Sequence, residues 1–365
     1  MSPKSIKTVS KKSPMKAIAN NFKLCSKAVS TEIYGAGHIN TTYLVTCEDG
    51  TKYILQKINN KTFPNVDELM SNICGVTEYI AKSANEGDEV LLVVPTLDDK
   101  PYYLNGNEYY RVYTFLSGET VETGATLKQF ELAGRGFGQF QNLLNGYPAY
   151  KLFDSIKNFH NTVDRFSKFE AAVESDIKGR AKDCREEIEF FKSRKEYCSR
   201  VLDLISSGEI PLRVTHNDTK PNNVLVDEVN DRVIGVLDLD TIMSGSILYD
   251  FGDSIRYGAN TGAEDEVDLT KVRFSEEYYE SYCKGFLPLV KHMLTDGEKS
   301  NMHFGAMLMT YECGMRFLTD YLSGDTYFRI HREYHNLDRC RTQIKLLSEM
   351  EKKEQIMVDI AQRYL

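Results

Sequence analysis

The stretch from Arg213 to Asp240 constrains this chain more than any other part of it. Arg213-Val214-Thr215 and Asn223-Val224-Leu225-Val226 are short runs rich in β-branched residues, and the polar run His216-Asn217-Asp218-Thr219-Lys220-Pro221-Asn222 lies between them. Such apolar runs form strands, while Asn, Asp and Pro between them form loops. A turn at Asn230-Asp231 leads to a third run, Val233-Ile234-Gly235-Val236-Leu237, which ends in Asp238-Leu239-Asp240. The chain must therefore build a hairpin with one carboxylate, Asp218, in the loop before it. A second carboxylate, Asp238, ends its return strand and places a charge on the floor of a cleft.

The rest of the chain sorts into two regions around that hairpin. Thr41–Cys47 and Lys52–Ile58, joined by Glu48-Asp49-Gly50, read as a strand pair. Asn65 and Glu68 look like a capping pair opening a helix on which Leu69, Ile73, Val76 and Ile80 recur. Pro101–Leu104 and Tyr109–Phe115 flank Asn105-Gly106-Asn107 as another hairpin. Beyond Leu116-Ser117-Gly118 the period becomes helical. Phe130, Ala133, Phe137, Phe140 and Leu144 form a stripe, with Gly134 and Gly138 permitting close packing, and a charged helical stretch runs from Glu174 to Ser206. Helices also dominate from Ser275 to the end. The expected class is α+β: a two-lobed protein-kinase-like fold with a small β-rich N-lobe, residues 21–116, and a larger, mainly helical C-lobe, residues 117–365, with a cleft between them. Residues 1–20 read as a basic, disordered tail.

A length of 365 residues suits two lobes. The formal net charge of −8 argues against a nucleic-acid partner, and no apolar run approaches a membrane span. Eight scattered cysteines with no C-x-x-C pair suggest reduced thiols in a cytoplasmic protein rather than zinc ligands or disulfides. Oligomeric state is not legible.

His216, Asp218 and Asn223 stand in the spacing H-x-D-x-x-x-x-N, that of kinase catalytic loops. Phosphoryl transfer needs a carboxylate beside the attacking hydroxyl, which fits Asp218. It also needs oxygen ligands for Mg²⁺, which the Asn223 amide and the Asp238 carboxylate can supply. Lys220 could neutralise the moving phosphoryl group or face solvent. Asp250-Phe251-Gly252 spells D-F-G, yet it lies well past the hairpin. Asp250 and Asp253 are therefore expected to hydrogen-bond backbone and pin the loop, with His216 as its brace. Upstream, Gly35 and Gly37 would let backbone amides approach phosphates. Leu55 and Lys57 share a strand face in the V-A-I-K manner, so Lys57 is expected to reach the α/β-phosphates, paired with Glu68 or, failing that, Glu78. Tyr113-Thr114-Phe115-Leu116 would be a hinge binding adenine, with Thr114 and Leu116 as contacts.

These stretches resemble the aminoglycoside phosphotransferase and choline kinase superfamily over roughly Tyr34 to Leu347. Within it the chain is most similar to bacterial N-acetylhexosamine 1-kinases. That resemblance is carried by Tyr53-Ile54-Leu55-Gln56-Lys57-Ile58-Asn59, Thr215–Leu225, Leu237-Asp238-Leu239-Asp240-Thr241, Tyr249–Arg256 and Arg316–Phe328. It implies ATP as phosphoryl donor with Mg²⁺, and transfer to the anomeric hydroxyl of GlcNAc or GalNAc. Asp218 would then be the base, Asp238 a metal ligand, and Arg316, Tyr327 and His38 sugar contacts. The rivals are an aminoglycoside, choline or other small-alcohol kinase, and an inactive kinase fold serving as a binding module. The joint presence of Lys57, Asp218, Asn223 and Asp238 argues against the last.

Overall fold

The computed structural model describes residues 14–35, 39–84, 89–121 and 124–365. It divides into two compact units, Met1–Leu116 and Ser117–Leu365.

In the first unit a helix, α1 (Pro14–Ala19), precedes strands β1 (Ala28–Ile33), β2 (Thr41–Cys47) and β3 (Lys52–Ile58). Helix α2 (Val66–Ala81) and strands β4 (Val93–Val94), β5 (Tyr103–Asn105) and β6 (Glu108–Thr114) complete it. The strands form one antiparallel sheet in the order β1-β2-β3-β6-β4, with β5 on β6. Residues directly opposite in an antiparallel pair point to the same face. One face therefore carries Tyr53, Leu55, Tyr110 and Val112, which bury against Ile18, Ala19 and Phe22. This corrects the expectation of a disordered tail through residue 20. Lysines mask the apolar spacing of Met15, Ile18, Ala19 and Phe22, which folds residues from Pro14 onward onto the sheet; residues 1–13 lie outside the described residues.

The opposite face of the sheet meets α2. Its start is set by Asn65, whose side chain accepts the Glu68 N–H, and it buries Leu69, Met70, Ile73 and Val76.

The second unit opens with β7 (Glu119–Thr120) and α3 (Leu127–Leu143), followed by α4 (Thr162–Ser175), α5 (Arg185–Lys192) and α6 (Tyr197–Ser206). The charged stretch expected as one helical region is thus broken. Asp176 takes a left-handed conformation, φ 35°, at the end of α4, and Gly179 follows at φ 66°. Next come β8 (Arg213–Thr215), β9 (Val224–Asp227), β10 (Arg232–Val236) and β11 (Met243–Gly245), then α7 (Ile247–Gly258), α8 (Glu276–Val290), α9 (Asp296–Ser323), α10 (His335–Lys352) and α11 (Glu354–Gln362). The β elements form two small sheets, β10-β9-β7 and β11-β8.

Glycines set the helix crossings. A Cβ on Gly134 of α3 would stand 2.7 Å from the Tyr282 carbonyl oxygen of α8, and one on Gly285 would stand 2.1 Å from that of Glu131. Across β8, Arg213 grips Glu298 at the start of α9 through two bonds of 2.6 and 2.9 Å. All eight cysteines are free thiols. No helix among the described residues is long and apolar enough to cross a membrane.

Candidate active site

The loop between β8 and β9 is fixed from behind. Asp250, on the first turn of α7, takes the His216 N–H on one carboxylate oxygen and the Asn217 N–H on the other, each at 2.8 Å. Gln141 of α3 adds a third donor at 2.7 Å. Burial pushes the Asp250 carboxyl above its ordinary value, against the pull of these donors. The Thr219 hydroxyl then bonds the Asp250 carbonyl at 2.6 Å, and Ser254 bonds the Thr219 carbonyl at 2.7 Å. A backbone held this way can keep Asn217 at φ 65°, a left-handed conformation that Asn tolerates.

His216 is the second clamp. Its Nδ1 accepts the Asp218 N–H at 3.3 Å, so Nε2 carries the proton and donates it to the Leu237 carbonyl at 2.8 Å. The ring sits edge-on to Phe137 and Phe140 and is buried. Both of its nitrogens are thereby committed to backbone.

The side chains singled out in the sequence stand in front. The Asp218 carboxylate pairs with Lys220 at 2.8 Å. Burial pulls the Lys220 ammonium down, but Asp218 beside it more than offsets this and raises it above the ordinary lysine value. Asn223 closes a one-turn 3₁₀ helix, Pro221–Asn223, and its Nδ2 donates to the Asp218 carbonyl at 2.8 Å and to Oδ2 at 3.3 Å. That leaves the amide oxygen as the end suited to a cation. The Leu237 N–H bonds the Asn223 carbonyl at 2.8 Å, bringing the end of β10 against the loop. Asp238 follows in a left-handed conformation, φ 57° and ψ 60°, costly for a non-glycine residue and typical of functional sites.

Asp253 differs from its expected role: its carboxylate pairs with Arg256 at 2.8 Å rather than capping backbone. Burial raises it, but Arg256 and Lys220 outweigh burial and hold it below the usual range. Asp250-Phe251-Gly252 is helical, with Phe251 packed among Tyr279, Tyr282 and Phe286.

The field of Asp253 also includes His160, a residue that sequence reasoning missed. His160 Nδ1 lies 2.8 Å from the buried Glu312 carboxylate, which the Thr162 hydroxyl also bonds at 2.6 Å. Burial raises Glu312, yet His160, Arg316 and Thr162 bring it below the ordinary glutamate value. Arg316, one turn along α9, lies 5.5 Å from the ring of Phe159, 5.9 Å from Tyr327 and 5.6 Å from Phe328. Burial and Arg316 together depress the Arg165 guanidinium. The loop bearing Tyr327 is set by Asp320, which accepts the N–H groups of Thr326, Tyr327 and Phe328 at 2.8–2.9 Å.

In the first unit Gly35 adopts φ 73° with open space where a Cβ would go, whereas Gly37 and His38 lie outside the described residues. Thr114 commits its N–H to the Leu92 carbonyl and its hydroxyl to the Val90 carbonyl; Leu116 is buried. Lys57 pairs with Glu108, not with Glu68 or the exposed Glu78. By register Lys57 opposes Tyr110 on the face turned away from α2, while Gln56 opposes Arg111 on the α2 face.

Residues 30–284 match the group described as the Phosphotransferase enzyme family. The chain belongs to that family. An aminoglycoside phosphotransferase from Alicyclobacillus acidocaldarius is 12% identical with a TM-score of 0.60, covering 95% of each chain. Choline kinase from Cryptosporidium parvum is 11% identical with a TM-score of 0.57, covering 95% of this chain and 98% of that one. Amicoumacin kinase hAmiN, in complex with AMP-PNP, Ca²⁺ and Ami, is 16% identical with a TM-score of 0.56, covering 88% of each. At these identities the likeness is one of fold: a two-lobed kinase-like fold with a β-rich N-lobe and a larger helical C-lobe.

Proposed function

We propose that the chain is an ATP- and Mg²⁺-dependent kinase that phosphorylates the anomeric hydroxyl of a neutral N-acetylhexosamine, giving the sugar 1-phosphate and ADP. The supporting observation is the loop itself. A carboxylate, Asp218, is held by Lys220 and Asn223 on a backbone clamped at His216 and Asn217 by Asp250. Asp218 orients the acceptor hydroxyl and takes its proton as that oxygen bonds the γ-phosphorus and the bond to the ADP oxygen breaks. An anomeric hydroxyl is more acidic than an ordinary alcohol, so a carboxylate base suffices. Lys220, kept charged by Asp218, offsets negative charge on the transferring group.

The Asn223 amide oxygen and the Asp238 carboxylate are hard oxygen donors of the kind Mg²⁺ takes. Among the described residues no group of three or more His, Cys, Asp or Glu side chains could hold a metal. A two-ligand site completed by phosphate and water suits an ion that arrives with its nucleotide. That ion would supply charge neutralisation at the phosphates.

Arg316 favours a neutral acceptor over a cationic one. Aromatic faces that could hold a quaternary ammonium already hold its guanidinium, at Phe159, Tyr327 and Phe328. A polycation would also meet Arg316 and Arg165 at close range. A sugar hydroxyl or acetamide oxygen can instead accept from a guanidinium. ADP release should be measured with GlcNAc, GalNAc, choline, ethanolamine, an aminoglycoside and the 1-O-methyl glycoside of GlcNAc. Turnover is expected with the free N-acetylhexosamines and not with the methyl glycoside, accompanied by loss of the reducing end. Turnover confined to amines contradicts the acceptor, and no turnover with any of them contradicts the reaction.

A further inference from the structure

His160 and Glu312 form a buried pair in the second unit. His160 Nδ1 lies 2.8 Å from one Glu312 oxygen, and the Thr162 hydroxyl donates to the other at 2.6 Å. Burial raises the Glu312 carboxyl, but His160, Arg316 and Thr162 bring it below its ordinary value. It is therefore ionised at neutral pH and can only accept hydrogen bonds. Nδ1 must then carry the ring proton, and that tautomer leaves a lone pair on Nε2. The His160 side chain is only 7% exposed, and Nε2 finds no hydrogen-bond partner among the described residues. Native proteins leave few buried polar atoms in that state, because each gives up water without gaining another bond.

Two neighbours are uncommitted in the same way. The Tyr249 ring stands 5.2 Å from the imidazole, and Tyr249 lies in the field of Glu312. Arg316, one turn beyond Glu312 on α9, stands over the rings of Phe159, Tyr327 and Phe328. Neither the Tyr249 hydroxyl nor the Arg316 guanidinium hydrogen-bonds any described residue. One acceptor and two donor groups thus gather around Glu312, and the cluster borders solvent at Tyr327, which is 66% exposed. His160 also lies close enough to Asp253 to enter its field, as does Lys220, the partner of Asp218. The cluster therefore adjoins the loop that carries the proposed base.

We infer that His160, oriented by Glu312, is a specificity-determining residue of the acceptor pocket, its Nε2 accepting a hydrogen bond from one hydroxyl or acetamide N–H of the sugar. The inference rests on the kinase reading above and adds to it a group that accepts where Arg316 can only donate. Sugar hydroxyls and an acetamide offer both a donor and an acceptor, so they match such a mixed pocket. A site built this way rejects an analogue lacking the matching donor, because its own acceptor then stays buried and unbonded.

The test uses the full-length chain with ATP and Mg²⁺. It compares the better N-acetylhexosamine substrate with its 3-, 4- and 6-deoxy analogues and with the corresponding 2-deoxyhexose, each lacking one donor. In the unaltered chain one analogue should lose about tenfold or more in kcat/KM. His160→Asn keeps an amide donor near Nδ1 for Glu312 and removes the acceptor at Nε2. It should raise KM for the parent sugar about tenfold and leave KM for ATP unchanged. It should also abolish discrimination against that one analogue, since both changes delete the same bond. His160→Gln, which places an amide oxygen near Nε2, should restore most of the discrimination. Equal losses on the parent sugar and every analogue in His160→Asn, or no discrimination by the unaltered chain, overturn the inference. If His160→Asn does not fold, the ¹⁵N resonance of His160 Nε2 in the unaltered chain decides. It should shift when the sugar is added with AMP-PNP and Mg²⁺, and an unmoved resonance overturns the inference. An unaltered chain that turns over none of the sugars sinks the sugar-kinase reading itself, which separates the two failures.

Discussion

His216 gives its Nε2 proton to the carbonyl oxygen of Leu237, 2.8 Å away, while its Nδ1 takes the Asp218 N–H. One imidazole thus fixes the backbone of the proposed base and of the residue preceding the proposed metal ligand, Asp238. Replacing it by alanine should disturb both together. We expect His216→Ala to lower kcat about tenfold or more through misplacement of reacting groups. It should also cost about 1–3 kcal/mol of stability from the buried groups left unbonded. Steady-state kinetics and urea unfolding measure the two effects; a fully active variant would show that the brace is dispensable.

Arg316 should govern acceptor affinity and leave the nucleotide alone. Arg316→Met is expected to raise KM for the sugar about tenfold or more, as for a lost charged hydrogen-bond donor, with KM for ATP unchanged. A rise in KM for ATP alone would place Arg316 in another role.

Glu312 provides a pH signature. Its folded-state value lies below the ordinary 4.5 because His160, Arg316 and Thr162 outweigh burial. The unfolded chain therefore binds the proton more readily in the window below 4.5, so stability rises with pH there and falls as acid protonates the native carboxylate. Glu312→Gln cannot titrate. Near neutral pH it should be less stable than the unaltered protein by about 2 kcal/mol or more, as when one partner of a buried pair is removed. That difference should shrink on acidification through the window. Urea unfolding at several pH values checks this, and a constant difference would contradict it.

Gly252, the last of the D-F-G letters, sets the crossing of two helices. A Cβ at Gly252 would stand 2.2 Å from the Gly305 carbonyl oxygen and 2.8 Å from Met309 Cγ, so α7 and α9 can cross only over glycine. Gly252→Ala should cost about 1–3 kcal/mol, the usual penalty for overpacking. A thermal midpoint equal to that of the unaltered protein would show that the helices can part without strain.

Local signals carried much of this fold. The β2–β3 hairpin, the Asn65 start of α2 and the close-packing role of Gly134 each depend on neighbours in sequence or on one helix face. The H-x-D-x-x-x-x-N spacing likewise exposed Asp218 and Asn223, because one short loop carries both. What stayed hidden depends on tertiary packing. Alternation shows that Leu55 and Lys57 share a face, but only the sheet's neighbours decide which face meets α2, and Gln56 finds Arg111 far along the chain. His160 reaches Glu312 across a far longer gap, with no motif around it. Asp253 turns to Arg256 one helical turn away, a pairing as readable as a backbone cap and distinguished from it only by the packing of α7. The α1 residues were hidden for a different reason, since four lysines before Pro14 make the start of the chain read as a solvated tail.

The most direct measurement is acceptor-dependent ADP release, with Mg²⁺ and an N-acetylhexosamine, by the unaltered chain and by Asp218→Asn. The unaltered chain should turn over, and the variant should lose about 10²–10⁴-fold in kcat, the range for a general base, while its affinity for AMP-PNP is kept. Turnover by Asp218→Asn at the unaltered rate would contradict the role assigned to Asp218 and the reaction built on it.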